Sequence, residues 1–151
     1  MDRNIVFCFI VKRKTIIYKI YVNAAKEMLK IGDKERAVEL LDMCQECVPE
    51  ENFPLDMTYL GFSNEYMVID MIETYYDAGA EDKALALAEK FMDEIFVSTE
   101  FFLNYYDFAK QEFESCYNCI SYVAELTDHY GDVEFAEQTR QRFNSLLDIE
   151  E

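Results

Sequence analysis

An all-α fold, built from antiparallel helix pairs stacked as a short array, is predicted by three features of the chain. Its 151 residues hold only four glycines and two prolines, too few breakers for a many-turned β-sandwich. Apolar residues recur at three- and four-residue steps over long uninterrupted stretches, the period of a helix with one buried face. Three glycines, Gly32, Gly79 and Gly131, each open a turn that is followed five residues later by a small residue, Ala37, Ala84 or Ala136.

The first helix is predicted over Thr15 to Lys30, with Ile17, Ile20, Tyr21, Ala24, Met28 and Ile31 inward. Gly32 stops it, because a left-handed residue after the last turn suits glycine. Asp33 then caps a second helix, which buries Ala37, Leu40, Leu41, Cys44 and Val48 and ends at Pro49. Two helices joined by so short a turn run antiparallel. Residues 49–62 hold both prolines and a glycine and are predicted to form a loop packed on the body. A third helix starts near Ser63 and runs to Ala78 with Met67, Met71, Ile72 and Tyr75 inward. Gly79 stops it, and a fourth follows from about Glu81 to Phe96, burying Ala84, Leu87, Ala88, Phe91 and Ile95.

Ser98 or Thr99 is read as the start of a further helical region reaching Gly131, either one long helix or two broken near Tyr106–Lys110. Its last part places Tyr117, Ile120, Val123, Ala124 and Thr127 on one side. Asp132 caps the final helix, which buries Val133, Ala136, Phe143, Leu146 and Leu147. The expected organisation is thus a lead segment, 1–14, and a single helical domain, 15–151. Its repeat units are about 15–49, 63–97 and 110–148.

Charge narrows the function classes. The net charge of −17 argues against a nucleic-acid binder, which needs a basic surface. Residues 1–36 nevertheless hold nine bases against four acids, leaving five bases against 27 acids for the rest. Such a basic beginning can face anionic lipid, fold back on the acidic body, or stay solvated. The apolar run from Ile5 to Val11 is seven residues long, well short of the ~20 that span a bilayer. It reads as a short extended segment or the frayed start of the first helix.

Of the candidates for chemistry, the two CxxC pairs, Cys44/Cys47 and Cys116/Cys119, have the spacing of zinc ligands. Each falls inside a predicted helix instead of on a tight knuckle, so core packing is the preferred reading and metal binding the alternative. His129, the single histidine, sits near a helix C-terminus without a paired nucleophile. No glycine-rich phosphate loop or calcium-loop spacing is present. No catalytic residue, cofactor or metal is therefore expected.

Set in register, the three turns resemble the tetratricopeptide repeat. Ala25, Gly32, Ala37 and Pro49 meet the pattern best; Tyr75, Gly79 and Ala84, then Gly131, Ala136 and Phe143, carry it in later units. The glycines lie 47 and 52 residues apart, against about 34 in the family. The resemblance implies a degenerate right-handed array of about three pairs, six or seven helices in all. It also implies that the first helix of each pair lines a concave face that binds peptides. By register that face would show Lys19, Lys26, Tyr66, Ile69, Glu73, Tyr76, Asn118 and Glu125.

A narrower likeness rests on the order GDKERAVELLDMC, VPEENFP, ETYYDAGAEDKA and YVAELTDHYGDVEFAEQTRQRFNSLL. It is similar to the C-terminal soluble region of large multi-span bacterial membrane proteins, whose membrane part is like protein O-mannosyltransferases. That implies a non-catalytic interaction module from, or truncated from, a glycosyltransferase-like protein, with an accessory role in glycosylation as the alternative. The partner would be a protein, a peptide or the module's own membrane domain. Localisation divides accordingly: reduced cysteines favour the cytoplasm, the resemblance a membrane-associated or periplasmic place.

Overall fold

The computed structural model describes the backbone of residues 3–47 and 65–147, with side chains over 16–47 and 67–147. Among the described residues every element is a helix: α1 (Arg3–Lys30), α2 (Lys34–Cys47), α3 (Glu65–Ala78), α4 (Glu81–Asn104), α5 (Tyr106–Tyr130) and α6 (Val133–Leu147). Pro49, Ser63 and the loop read over 49–62 lie outside them. None of the described helices is long and apolar enough to cross a membrane. The chain divides into two compact units, Met1–Ala84 and Leu85–Glu151.

The three glycine turns are the same object, hydrogen bond for hydrogen bond. Gly32, Gly79 and Gly131 all have positive φ, at 83°, 79° and 100°. Each glycine N–H donates to the carbonyl three residues back: Leu29, Tyr76 or Asp128. The next N–H, of Asp33, Ala80 or Asp132, donates to the carbonyl five back: Met28, Tyr75 or Thr127. This pair of bonds satisfies two carbonyls that the end of a helix leaves without partners. The carbonyls of Asp33, Ala80 and Asp132 then accept from the N–H of Ala37, Ala84 and Ala136 and start the following helix. Those three alanines are fully buried, where a larger side chain would hold neighbouring helices apart.

In the first unit α1 packs on α2, and α3 packs on both. The buried residues of α1 are Tyr18, Val22 and Ala25, and those of α2 are Ala37, Leu41 and Cys44. The buried stripe of α1 is therefore turned away from the one expected: Ile20 and Ile31 are 60% and 72% exposed. Both stripes have helical period, and period alone does not choose between them. The helix itself begins at Arg3, so the lead segment read over 1–14 belongs to α1 from that residue on.

In the second unit α5 packs on α6. Arg142 links α6 to α4 by an ion pair with Asp93 at 2.7 Å, and its guanidinium lies 4.2 Å from the Phe96 ring centre. The core of α4 holds Leu87, Ala88, Phe91 and Ile95, as the spacing predicts, joined by Met92 and Phe96.

Two boundaries differ from the sequence reading. Ser98 and Thr99 do not start a helix, because α4 runs through them to Asn104. Thr99 is buried, and its hydroxyl donates to the Ile95 carbonyl at 2.6 Å, which satisfies it inside the helix. The open choice over 98–130 resolves as two helices, separated at Tyr105 (φ −121°, ψ 30°). A second irregular residue, Ala109 (φ −125°, ψ 31°), kinks the start of α5.

Candidate functional site

Alternation of buried and exposed residues along α5 and α6 leaves one side of that pair open. A groove of about 690 Å³ runs between the two helices. Its aromatic wall is Phe113 and Tyr117 from α5 and Phe143 from α6, with Ile120, Ala124 and Leu147 completing the apolar floor. The rings touch: Phe143 lies 6.5 Å from Phe113 and 5.2 Å from Tyr117, centre to centre. Tyr106 adds an edge-on contact to Phe113 at 5.4 Å.

Glu125, Arg140, Ser121 and Asn144 supply the polar lining. Arg140 is held by Asp128 at 3.0 Å and Glu137 at 2.9 Å. The hydrogen bond to Asp128, above all, raises its already high pKa, so it is a permanent cation at the groove. Aromatic walls with a few charged groups are the composition of a protein-docking surface, where rings contribute area at low entropic cost.

Register sets the α5–α6 pair beside the α1–α2 pair. With Gly32 laid on Gly131, Tyr18, Ala25, Leu41 and Cys44 of the first pair fall on Tyr117, Ala124, Arg140 and Phe143. In the first pair these positions are buried, and α3 lies across the pair. Two polar links fix α3 there. Lys26 of α1 pairs with Asp70 of α3 at 2.8 Å. The Tyr75 hydroxyl of α3 donates to Asp42 at 2.9 Å and accepts from Gln45 at 2.7 Å, both on α2. Asp42 is paired in turn with Lys83. Burial, then the bond to Asp42, pushes the Tyr75 pKa well above the usual tyrosine value. In the second unit the equivalent tyrosine, Tyr117, is 46% exposed, whereas Tyr18 is 2% exposed.

The residues proposed from register as a concave face differ in exposure. Lys19, Asn118 and Glu125 are exposed, and Lys26 and Glu73 are half-buried. Ile69 and Tyr76 are each only 4% exposed and offer no open face, because α3 is covered on nearly every side. The side chain of Tyr66 lies outside the described set. Of the seven whose side chains are described, Glu125 alone lines the α5–α6 groove. Phe143, expected in the core, is buried at the groove, whereas Tyr117 and Leu147, expected inward as well, are 46% and 40% exposed; nothing in the spacing tells a covered side chain from an uncovered one.

Cys44 and Cys47 lie on α2 and Cys116 and Cys119 on α5, with Cys47 the exposed member. Its thiol is 3.8 Å from the Tyr21 hydroxyl, and this contact is the main cause of a raised Tyr21 pKa. Among the described residues no three histidine, cysteine or carboxylate side chains gather as a metal site. His129 is exposed at the end of α5, edge-on to the Tyr130 ring at 5.1 Å. Compared with models of protein families, with curated proteins and with solved structures, the chain matches none.

Proposed function

We propose that the protein is a non-catalytic helical-repeat module of the tetratricopeptide kind, which binds a helix of a protein partner in the α5–α6 groove. The observation that carries this reading is the register between the two helix pairs. The surface of α1 and α2 on which α3 lies has its counterpart on α5 and α6, with the same tyrosine left half-exposed. An amphipathic helix laid in a groove buries an apolar stripe and gains specificity from flanking charges.

The groove also states a charge preference. Where the first pair has Lys26, bound to Asp70, the second has Glu125. A helix that fits α5–α6 thus carries a cation or a neutral hydrogen-bond donor at the place of Asp70. The likeness to the C-terminal region of O-mannosyltransferase-like membrane proteins adds a setting, that of an accessory to such an enzyme, and rests on the quoted sequence order alone.

A labelled peptide of residues 65–78 carrying Asp70→Lys tests the groove directly. Saturable binding with a Kd of about 100 µM or tighter is expected, weakened at least about tenfold by Tyr117→Glu. Absence of binding, or binding indifferent to Tyr117→Glu, sinks the assignment.

A further inference from the structure

The occupant of the groove can be named from the other end of the chain. The stripe of α1 that the sequence marks as apolar is left partly open, with Ile20 and Ile31 exposed and Ala24 and Met28 half-buried, and it is in register with the docking face of α3. With Gly32 laid on Gly79, Ile20, Asn23, Ala24, Met28 and Ile31 fall on Met67, Asp70, Met71, Tyr75 and Ala78, Asn23 taking the place of Asp70. On α3 the residues Met71, Tyr75 and Ala78 are buried; on α1 Ile16, Ile20 and Ile31 are all more than half exposed. One helix face in register with α3 and one helix pair in register with α1–α2 are thus both left partly open on the same chain.

We propose that the α5–α6 groove of one copy takes the outer face of α1 of a second copy, laid as α3 lies on α1 and α2. This rests on the reading of the groove as a helix-binding site and supplies its partner.

Charge selects the same pairing. In the internal arrangement Lys26 faces Asp70 across the interface. In the arrangement between copies Glu125 takes the place of Lys26, and the incoming helix offers Asn23 in the place of Asp70. An amide then donates to a carboxylate, whereas α3 itself would bring two carboxylates together. At larger scale the incoming helix belongs to the basic part of the chain, and the groove to the acidic part. Residues 1–36 carry nine bases against four acids, and the remainder 27 acids against five bases. Attraction between these parts speeds encounter and disfavours the reversed orientation.

The interface is heterologous, since it joins one surface to a different one, so each added copy leaves one groove and one α1 face open. Association therefore continues with concentration unless a ring closes.

Sedimentation velocity from about 1 to 200 µM, interpreted by mass action, reads the prediction. The mass of the wild-type chain is expected to rise above the 17.9 kDa of one copy. Ile20→Glu blocks the α1 face and Tyr117→Glu blocks the groove, so each alone should remain at 17.9 kDa. Mixed in equal amounts, the two should form a one-to-one dimer and nothing larger, because each retains the surface the other has lost. Asn23→Glu, at an exposed helical position, sets a carboxylate against Glu125. It should weaken association at least about tenfold and be rescued in the mixture by a chain carrying Glu125→Lys. Circular dichroism checks that all the variants keep their helices.

A wild-type chain that stays at one copy's mass, a mixture that does not pair, or an Asn23→Glu chain that associates unchanged overturns the proposal. If the chain stays single yet binds the Asp70→Lys peptide, the groove stands and its occupant is a different protein. If it neither self-associates nor binds the peptide, the groove reading falls too.

Discussion

Tyr75 concentrates the energetics of the first unit in one side chain. It is fully buried, and its hydroxyl is satisfied twice, by Asp42 and Gln45. Tyr75→Phe removes a bond to a charged partner while leaving the ring packed, and should lower stability by about 1–2 kcal/mol in urea titration. Its pKa is raised in the folded state from an ordinary value of 10.0. The stability that it contributes is whole below that value. Above it the unfolded chain ionises first, and stability declines as pH rises. The alkaline loss between about pH 10 and 11 should accordingly be shallower in Tyr75→Phe than in the wild type.

Gly79 offers a cleaner case, since a Cβ added there meets nothing within 4 Å. Gly79→Ala should then cost only the left-handed backbone strain, about 1–2 kcal/mol. Gly79→Asn should cost less, because asparagine tolerates that region. Equal urea midpoints for the glycine and alanine forms would contradict the role of the turn. These glycines were legible in the sequence, as were the buried alanines five residues on, because local backbone chemistry alone specifies them.

Helix by helix, the turns are identical in the backbone and unequal in side chains. Asp33 caps α2 by accepting from the Arg36 N–H at 3.0 Å. The matching position before α4 is Ala80, which has no side-chain acceptor. Ala80→Asp should raise stability by about 0.5–1 kcal/mol, visible as a higher urea midpoint.

The element that the sequence misplaced is α4. Serine, threonine and glutamate at 98–100 have the pattern of a helix start, yet the chain there is mid-helix. Burial of Phe96 and Phe102 on either side holds the segment helical, and the Thr99 hydroxyl back-bonds instead of capping. The real break, at Tyr105, is marked by neither glycine nor proline. The reading that allows a break near Tyr106–Lys110 comes within a residue of it, and the Ala109 kink falls inside that range.

Across the whole chain, the contrast of Tyr18 with Tyr117 is the most direct measure of what packing decides. They are the same residue at the same register position, 2% and 46% exposed. Tyr18→Glu places a carboxylate in a fully buried site and should destabilise the chain by more than about 3 kcal/mol. Tyr117→Glu loses the ring contact with Phe143 and should cost only about 1 kcal/mol. Denaturant titration of the two variants checks this, and equal costs would mean that the α5–α6 groove is covered.

By itself the sequence determined the helical class, the three glycine turns and the residues that stop and start helices at those turns, because period, glycine and capping chemistry act within a few residues of chain. It also marked an apolar stripe on α1, Ile20 to Ile31, though as core. Only the tertiary structure decided which stripe of each helix is covered. Two faces of equal period differ solely in whether another helix lies on them, and that helix comes from elsewhere in the chain. The candidate groove was invisible for the same reason. Tyr117 has the spacing of a core residue, as Tyr18 does, yet it is 46% exposed and lines the opening between α5 and α6.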